Sequence, residues 1–169
     1  MKVLKIIFFV ISTTLLSGCY NGVVYQTDAE IYSPQAQISL LNKRLVAYDV
    51  RILQDKDSLV LVLPSKELFN SSEELFGSNS ANFTQEAYKV LDLILELASY
   101  YEKSVISVKG FAGVNCADAL SLTIAAERAH KVVQYLWKSG IDSSLMYADS
   151  SNAISSLTDC VVISFRKLN

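Results

Sequence analysis

Most of this chain is predicted to form an α+β fold, a two-layer sandwich in which helices pack on one face of a single sheet. Two kinds of segment alternate along it: short runs of branched apolar residues, which are typical of strands, and longer segments with apolar residues every three or four positions. Pro, Gly and polar clusters separate them. The resulting order, β-α-β-α-β-β preceded by a short hairpin strand, predicts helices on one side of the sheet.

Residues 1–18 are predicted to be a signal peptide, outside the fold. Lys2 and Lys5 precede an apolar run from Ile6 to Leu16, which is too short for a permanent membrane-spanning helix. The run ends in Leu16-Ser17-Gly18-Cys19, which resembles a bacterial lipoprotein cleavage site. The alternative is an ordinary secretory signal with an incidental cysteine.

The lipoprotein resemblance implies that the thiol of Cys19 carries diacylglycerol, that its freed amine carries a third acyl chain, and that the mature protein begins there. Several acyl chains make a durable membrane anchor. Tyr20 stands where lipoproteins retained in the inner membrane commonly have Asp. The resemblance therefore implies a lipid anchor in the outer membrane, with the folded part facing the periplasm.

Residues 19–47 are predicted to form the anchor, a tether and a short helix. Tyr20 to Pro34 shows no clear helical or strand period, as expected for an extended tether. Gln35 to Val46 has apolar residues at helical spacing and predicts a short helix packed on the domain. A partner-binding segment is the alternative for this stretch.

Residues 48–169 are predicted to form the domain. Val50–Leu53 and Leu59–Leu63 read as a hairpin across a polar turn, and Pro64 ends its second strand. Three further strands are predicted at Val105–Val108, Leu145–Ala148 and Val161–Phe165.

Two longer segments have the period of a helix. The first begins with Thr84 as N-cap and has apolar residues on one face at Ala87, Val90, Leu91, Ile94, Leu97, Ala98 and Tyr101. The second runs from about Asp118 to Ser139, with Lys138 in its last turn and Gly140 just beyond as the stop signal.

Composition argues against nucleic-acid binding and catalysis. The net charge is −2 at pH 7, and no block of basic residues occurs. His130 is the single histidine, and no nucleophile motif or metal-ligand spacing appears. We therefore predict a non-enzymatic protein without a cofactor or metal.

Lipidation of Cys19 would leave two cysteines, Cys116 and Cys160, in an oxidising compartment. A disulfide between them is predicted. The alternative is that both are buried free thiols, which behave as small apolar side chains.

Four short segments resemble the OmpA-like periplasmic domain over about Tyr48 to Phe165. They are Leu75–Phe83, Val108–Phe111, Glu127–Val132 and Lys138–Ile141. The resemblance implies binding of the peptidoglycan stem peptide in a cleft where an Asp accepts from an ammonium and an Arg pairs with a carboxylate. Arg suits this role because its planar fork can donate two parallel hydrogen bonds.

The chain departs from that pattern around the cleft. Arg128 matches the family Arg, but Gly113 stands at the Asp position and Phe111 at the His or Tyr position. Thr158-Asp159-Cys160 replaces Asn-Arg-Arg before the last strand. The resemblance implies that Cys116 and Cys160 lie at positions that border the family's ligand cleft.

Two roles of Arg128 stay open at this point. It could bind a cell-wall carboxylate, with Asn115 or Asp118 replacing the lost acid. It could instead pair internally with Asp159, Glu127 or Asp149.

Two functions follow from the resemblance. The first is a structural part of an envelope assembly, and the small OmpA-like lipoprotein of Dot/Icm type IVB secretion systems is the narrower resemblance. Its partners would be other envelope or secretion subunits. The second is a tether that links the outer membrane to peptidoglycan.

Overall fold

The computed structural model describes most of the chain from Ser33 onward. The described stretches are residues 33–55, 57–69, 81–101, 103–113, 119–154 and 157–168. The signal peptide, Cys19 and the tether up to Tyr32 lie outside them, so the lipid anchor stays a prediction. Within these stretches, no helix is long and apolar enough to cross a membrane.

The described elements occur in the predicted order, which confirms the α+β fold. They are α1 (Pro34–Val46), β1 (Arg51–Gln54), β2 (Ser58–Pro64), α2 (Ser65–Leu68), α3 (Gln85–Ala98), β3 (Ser104–Phe111), α4 (Ala119–Lys138), a 3-10 turn (Ser143–Leu145), β4 (Met146–Ser151) and β5 (Cys160–Lys167). Helix α2 was not predicted, because four residues are too few to show a helical period.

The five strands form one sheet in the order β1-β2-β5-β3-β4. Strands β3 and β4 are parallel, and the other neighbours are antiparallel. Parallel neighbours need a crossover connection, which here contains α4. The last strand, β5, therefore lies in the middle of the sheet, between β2 and β3.

Successive side chains on each strand point to opposite faces of the sheet. We call the face that the helices cover the helix face and the opposite one the open face. The helix face carries Leu61, Val108 and Ile163, which are buried in the main core together with residues of α1, α3 and α4. The open face carries the alternate residues. Among them, Ser164 of β5 is paired with Val60 of β2 on one side and with Ser107 of β3 on the other. A smaller buried cluster lies on the open face, formed by Val62, Phe111, Cys160 and Val162.

The predicted helix ends are confirmed. The hydroxyl of Thr84 accepts from the backbone N–H of Ala87 at 3.0 Å, which caps α3. Gly140 follows α4 with φ of 102°, a left-handed conformation that glycine adopts without strain. The N–H groups of Gly140 and Ile141 donate to carbonyls of the last turn, at 2.9 and 3.2 Å, and so end α4.

An aromatic cluster joins the segment after α2 to α3 and α4. The rings of Phe69 and Phe83 stack with centroids 5.4 Å apart, and Phe83 meets Tyr88 and Tyr135 edge-on at 5.6 and 6.2 Å. The hydroxyl of Tyr135, on α4, donates to Oδ1 of Asp92, on α3, at 2.5 Å. This hydrogen bond ties the two helices together beside their apolar contact.

We expect Tyr135→Phe to lower the free energy of unfolding by about 1 kcal/mol at pH 7, because it removes that hydrogen bond. Burial, the hydrogen bond and the negative charge of Asp92 raise the pKa of Tyr135 from 10.0 to about 12. A raised pKa stabilises the fold below the unfolded pKa, and this contribution disappears as the pH rises from about 10 to about 12. Chemical denaturation at several pH values measures both effects.

The matched control is Tyr100→Phe, because Tyr100 is 37% exposed and loses the same hydroxyl. We expect this variant to match the wild type at pH 7 and to keep the alkaline loss of stability. An alkaline loss of equal size in Tyr135→Phe would contradict the role assigned to Tyr135.

Candidate functional site around Arg128

Arg128 lies on the inward face of α4 and is only 5% exposed. It shares this buried face with Ala125, Ala129 and Val132. Charged side chains are rarely buried to this degree unless a partner compensates the charge. The position therefore requires an acidic or aromatic partner close to the guanidinium.

Asp159 supplies the acidic partner. Nη1 of Arg128 donates to Oδ1 of Asp159 at 2.6 Å, a short charge-assisted hydrogen bond. The guanidinium carbon also lies 5.1 Å from the ring centroid of Phe69, within the range of a cation–π contact. Of the two roles left open above, this geometry is that of internal pairing, with Asp159 as the acid among the three named.

The backbone of Asp159 fixes the position of its carboxylate. Its φ is 44°, in the left-handed region that Asp adopts more readily than most residues. Its N–H donates to the carbonyl of Ala112 at 3.1 Å, and its carbonyl accepts from the N–H of Ser65 at 3.0 Å. Asp159 therefore connects the residue after β3, the start of α2 and, through Arg128, helix α4.

Glycine at position 110 allows α4 to lie directly on β3. A Cβ atom at Gly110 would stand 1.9 Å from the carbonyl oxygen of Ala125, which no side chain can occupy. Ala125 is one helical turn before Arg128, so this backbone contact also sets where Arg128 lies along the strand. Gly110 therefore serves the packing that positions the arginine.

The structure describes only some of the other residues predicted to line the cleft. Gly113, at the family Asp position, follows β3 and has open space where a Cβ would stand. Phe111 points to the open face, where it is buried with Cys160. Asn115, Cys116 and Asp118 lie outside the described residues.

Cys160 is buried at the start of β5 and forms no disulfide with a described residue. Burial raises the pKa of this thiol, which disfavours the reactive thiolate. Because Cys116 lies outside the described residues, the Cys116–Cys160 disulfide stays a prediction.

Sequence reasoning missed Ser65 and Phe69 as neighbours of this site. Both follow Pro64, the residue at which β2 ends, and the pairing of β2 with β5 brings Pro64 beside Cys160. The apolar pair Leu68-Phe69, which follows the end of β2 by one short helical turn, was the available signal. It indicates a turn of chain that folds back onto the core, and both residues are buried.

Among the described residues of the site, Arg128 is the one buried cation, and a carboxylate of the same chain compensates its charge. Across the described residues, no group of three or more His, Cys, Asp and Glu side chains could hold a metal ion. The arrangement is that of a structural ion pair at the end of the sheet.

Comparison with known proteins agrees with this fold. The OmpA family model matches residues 75–162, which is more than half of the chain. No curated protein sequence is significantly similar to this chain.

Several solved structures share the fold at low sequence identity. The cell wall anchor of the T6SS from Pseudomonas aeruginosa has a TM-score of 0.63 at 18% identity, over 78% of this chain and 97% of that one. The periplasmic domain of Helicobacter pylori MotB has a TM-score of 0.56 at 20% identity, over 71% and 80%. An outer membrane protein from Borrelia burgdorferi B31 has a TM-score of 0.55 at 17% identity, over 72% and 99%.

Proposed function

Because this chain belongs to the OmpA family, we propose that it is a non-enzymatic structural component of a bacterial envelope assembly. In this proposal Cys19 is lipidated and holds the chain at the outer membrane, with its domain in the periplasm. The assembly is a Dot/Icm type IVB secretion system, in which this chain would resemble the DotK (IcmN) lipoprotein. Other subunits of that assembly are its proposed partners.

The observation that carries the proposal is the burial of Arg128 against Asp159. An external carboxylate would have to displace Asp159, which the backbone holds 2.6 Å from the guanidinium. Breaking a buried ion pair by removing one partner costs about 3 to 5 kcal/mol. Ligand binding at this arginine would therefore be weakened by a competitor within the same chain.

The absence of an acid at Gly113 supports the same conclusion. A two-charge ligand needs a carboxylate for its ammonium, and glycine supplies none. Loss of one partner of a buried charge pair typically costs about 2 to 5 kcal/mol of binding. A domain that keeps its fold without this ligand chemistry is suited to serve as a rigid part of a larger complex.

The second candidate function is a peptidoglycan-binding tether. Two observations favour it: Arg128 occupies the family position, and the Asp159 side chain that covers it is 40% exposed. In this alternative a stem-peptide carboxylate replaces Asp159 beside the guanidinium, with Asn115 or Asp118 binding the ammonium.

Binding to isolated sacculi tests the proposal. We expect the unmodified protein to bind weakly and Gly113→Asp alone to bind little better, because Asp159 still pairs with Arg128. The double variant Gly113→Asp with Asp159→Asn should bind at least tenfold more, since it supplies the missing acid and removes the competitor. A Cβ atom at Gly113 would meet nothing within 4 Å, so the substitution adds no clash at that atom.

The double variant Gly113→Asn with Asp159→Asn is the matched control, because it adds the same volume without the charge. Strong sacculus binding by the unmodified protein would overturn the assembly proposal. Co-purification from detergent-solubilised envelopes gives the second measurement. Recovery of stoichiometric envelope subunits supports the assembly, whereas recovery of peptidoglycan fragments without protein partners supports the tether.

A further inference from the structure

The open face of the sheet has a depression of about 220 Å³, formed by residues of four neighbouring strands. We call it the open-face pocket. Its lining residues are Ser58 of β2, Ser164 and Arg166 of β5, Val105 and Ser107 of β3, and Tyr147 of β4. All six point away from the face that α4 covers, so the pocket is separate from the Arg128 site.

Strand register explains why the surface is concave here. Ser164 and Ser107 are direct partners on the two central strands, and Tyr147 is the partner of Ser107 on β4. Two small side chains therefore form the floor, where a central sheet position usually carries a larger residue. Tyr147, which is 51% exposed, and Arg166 stand higher and form walls.

The pocket contains polar side chains that have no side-chain partner among the described residues. Arg166 has no ion pair there, and the hydroxyls of Ser107, Ser164 and Tyr147 have no hydrogen bond. In the adjacent row of the same face, by contrast, Lys109 is paired with Asp149 at 3.2 Å. Four hydroxyl groups, including that of Ser58, and one guanidinium are thus available to an external acceptor.

We propose that the open-face pocket binds a single carboxylate of a partner polypeptide. The guanidinium of Arg166 presents a planar fork that matches the two oxygens of a carboxylate, and serine hydroxyls can donate to the same oxygens. One guanidinium balances one negative charge. The volume is below that of typical small-molecule sites, so the pocket accepts one group rather than a whole ligand.

A phosphate group fits this pocket less well. Anion sites for phosphate commonly add backbone N–H groups or several cations. Here the strands around Ser107 and Ser164 are paired on both sides, so their N–H groups are directed along the sheet toward neighbouring strands. The pocket therefore offers a single cation for a group that carries nearly two negative charges.

This inference goes beyond the proposed assembly role and does not depend on it. It specifies the chemistry of a contact, an acidic side chain or a C-terminal carboxylate of a protein, on a face that the Arg128 site does not use. Since the lining residues belong to paired strands, the pocket is formed before binding and loses little conformational entropy.

The test is a titration of the isotope-labelled full chain in detergent micelles. Binding is monitored through the amide chemical shifts in two-dimensional NMR spectra. The probes are the amide-blocked amino acid N-acetyl-glutamate α-amide for an acidic side chain, N-acetyl-alanine for a terminal carboxylate, and inorganic phosphate. We expect at least one carboxylate probe to give saturable shifts centred on the lining residues. Arg166→Gln should weaken this binding at least tenfold.

Lys167→Gln is the matched control, because it removes the same charge from the next residue, which points to the other side of the sheet. It should bind the probe as the wild type does. Shifts that stay linear with concentration for both carboxylates, or equal saturation in Arg166→Gln, would overturn the proposal. Tighter binding of phosphate than of either carboxylate would overturn the assignment of the ligand class.

Discussion

We expect Gly110→Ala to lower the free energy of unfolding by about 3 kcal/mol or more, one of the two largest effects predicted for this chain. The added Cβ would stand 1.9 Å from the carbonyl oxygen of Ala125, and the atoms of Ala125 that it meets belong to the backbone of α4. A side chain could rotate away, but here α4 or β3 must move. Overpacking of a core typically costs about 1 to 3 kcal/mol, and a backbone clash lies at or above the upper end.

Gly113→Ala is the control within the same segment. Its Cβ meets nothing within 4 Å, so the same methyl group adds no clash. We expect this variant to be as stable as the wild type or slightly more stable, because alanine restricts the unfolded chain. Thermal and chemical denaturation of the pair measure the difference, and similar stabilities would contradict the close packing of α4 on β3.

The second large effect concerns the buried ion pair. We expect Asp159→Asn to lower the free energy of unfolding by about 3 kcal/mol, because the guanidinium of Arg128 stays buried beside a neutral amide. Asparagine keeps the size of the side chain and tolerates the left-handed φ of 44°, so the change isolates the charge.

Arg128→Met should cost less, about 1 kcal/mol. Methionine keeps apolar contact with the ring of Phe69, and the carboxylate left behind at Asp159 is 40% exposed and can be hydrated. The double variant should be about as stable as Arg128→Met alone, because a carboxylate is no longer needed once the cation has gone. Chemical denaturation of the four proteins gives the coupling energy directly.

The pair Lys109–Asp149 provides a control cycle with the variants Lys109→Met and Asp149→Asn. Its atoms lie 3.2 Å apart, but its side chains are 40% and 56% exposed. Exposed pairs contribute about 0.2 to 1 kcal/mol, so its coupling energy should be well below that of the buried pair. Additive effects at Arg128 and Asp159 would show that the two side chains do not act as a pair.

Except for the four-residue helix α2, local sequence patterns were sufficient to predict which segments become strands and helices. The hairpin predicted at Val50–Leu53 and Leu59–Leu63 is found at Arg51–Gln54 and Ser58–Pro64, and the cap at Thr84 begins α3 as expected. Hydrophobic periodicity and helix capping depend only on residues close together in the chain, so they can be recognised in a single sequence.

The pairing of strands was not predictable in the same way. Strand β5 inserts between β2 and β3, although β2 and β5 are separated by most of the domain sequence. Pairing between strands that are far apart in the sequence depends on how the whole core packs, and no local sequence pattern indicates that packing. The open-face pocket depends on the same register, because its residues come from four strands that meet only after folding.

The candidate site was predictable in its residues but not in its contacts. Sequence comparison with the family singled out Arg128 and named three acids that could pair with it. The selection of Asp159 depends on a left-handed residue and on two backbone hydrogen bonds, to Ala112 and from Ser65. Neither feature has a signal in the sequence around Asp159 that would separate it from the other acids.

The contact between Gly110 and Ala125 restricts how the neighbourhood of Arg128 can rearrange. A helix whose backbone rests on a strand cannot translate along it or turn about its own axis without a collision. Any opening that uncovers the guanidinium must therefore come from movement of the connection that precedes β5, which carries Asp159. We expect hydrogen exchange in that connection, rather than in α4, to report the rate at which the arginine becomes accessible.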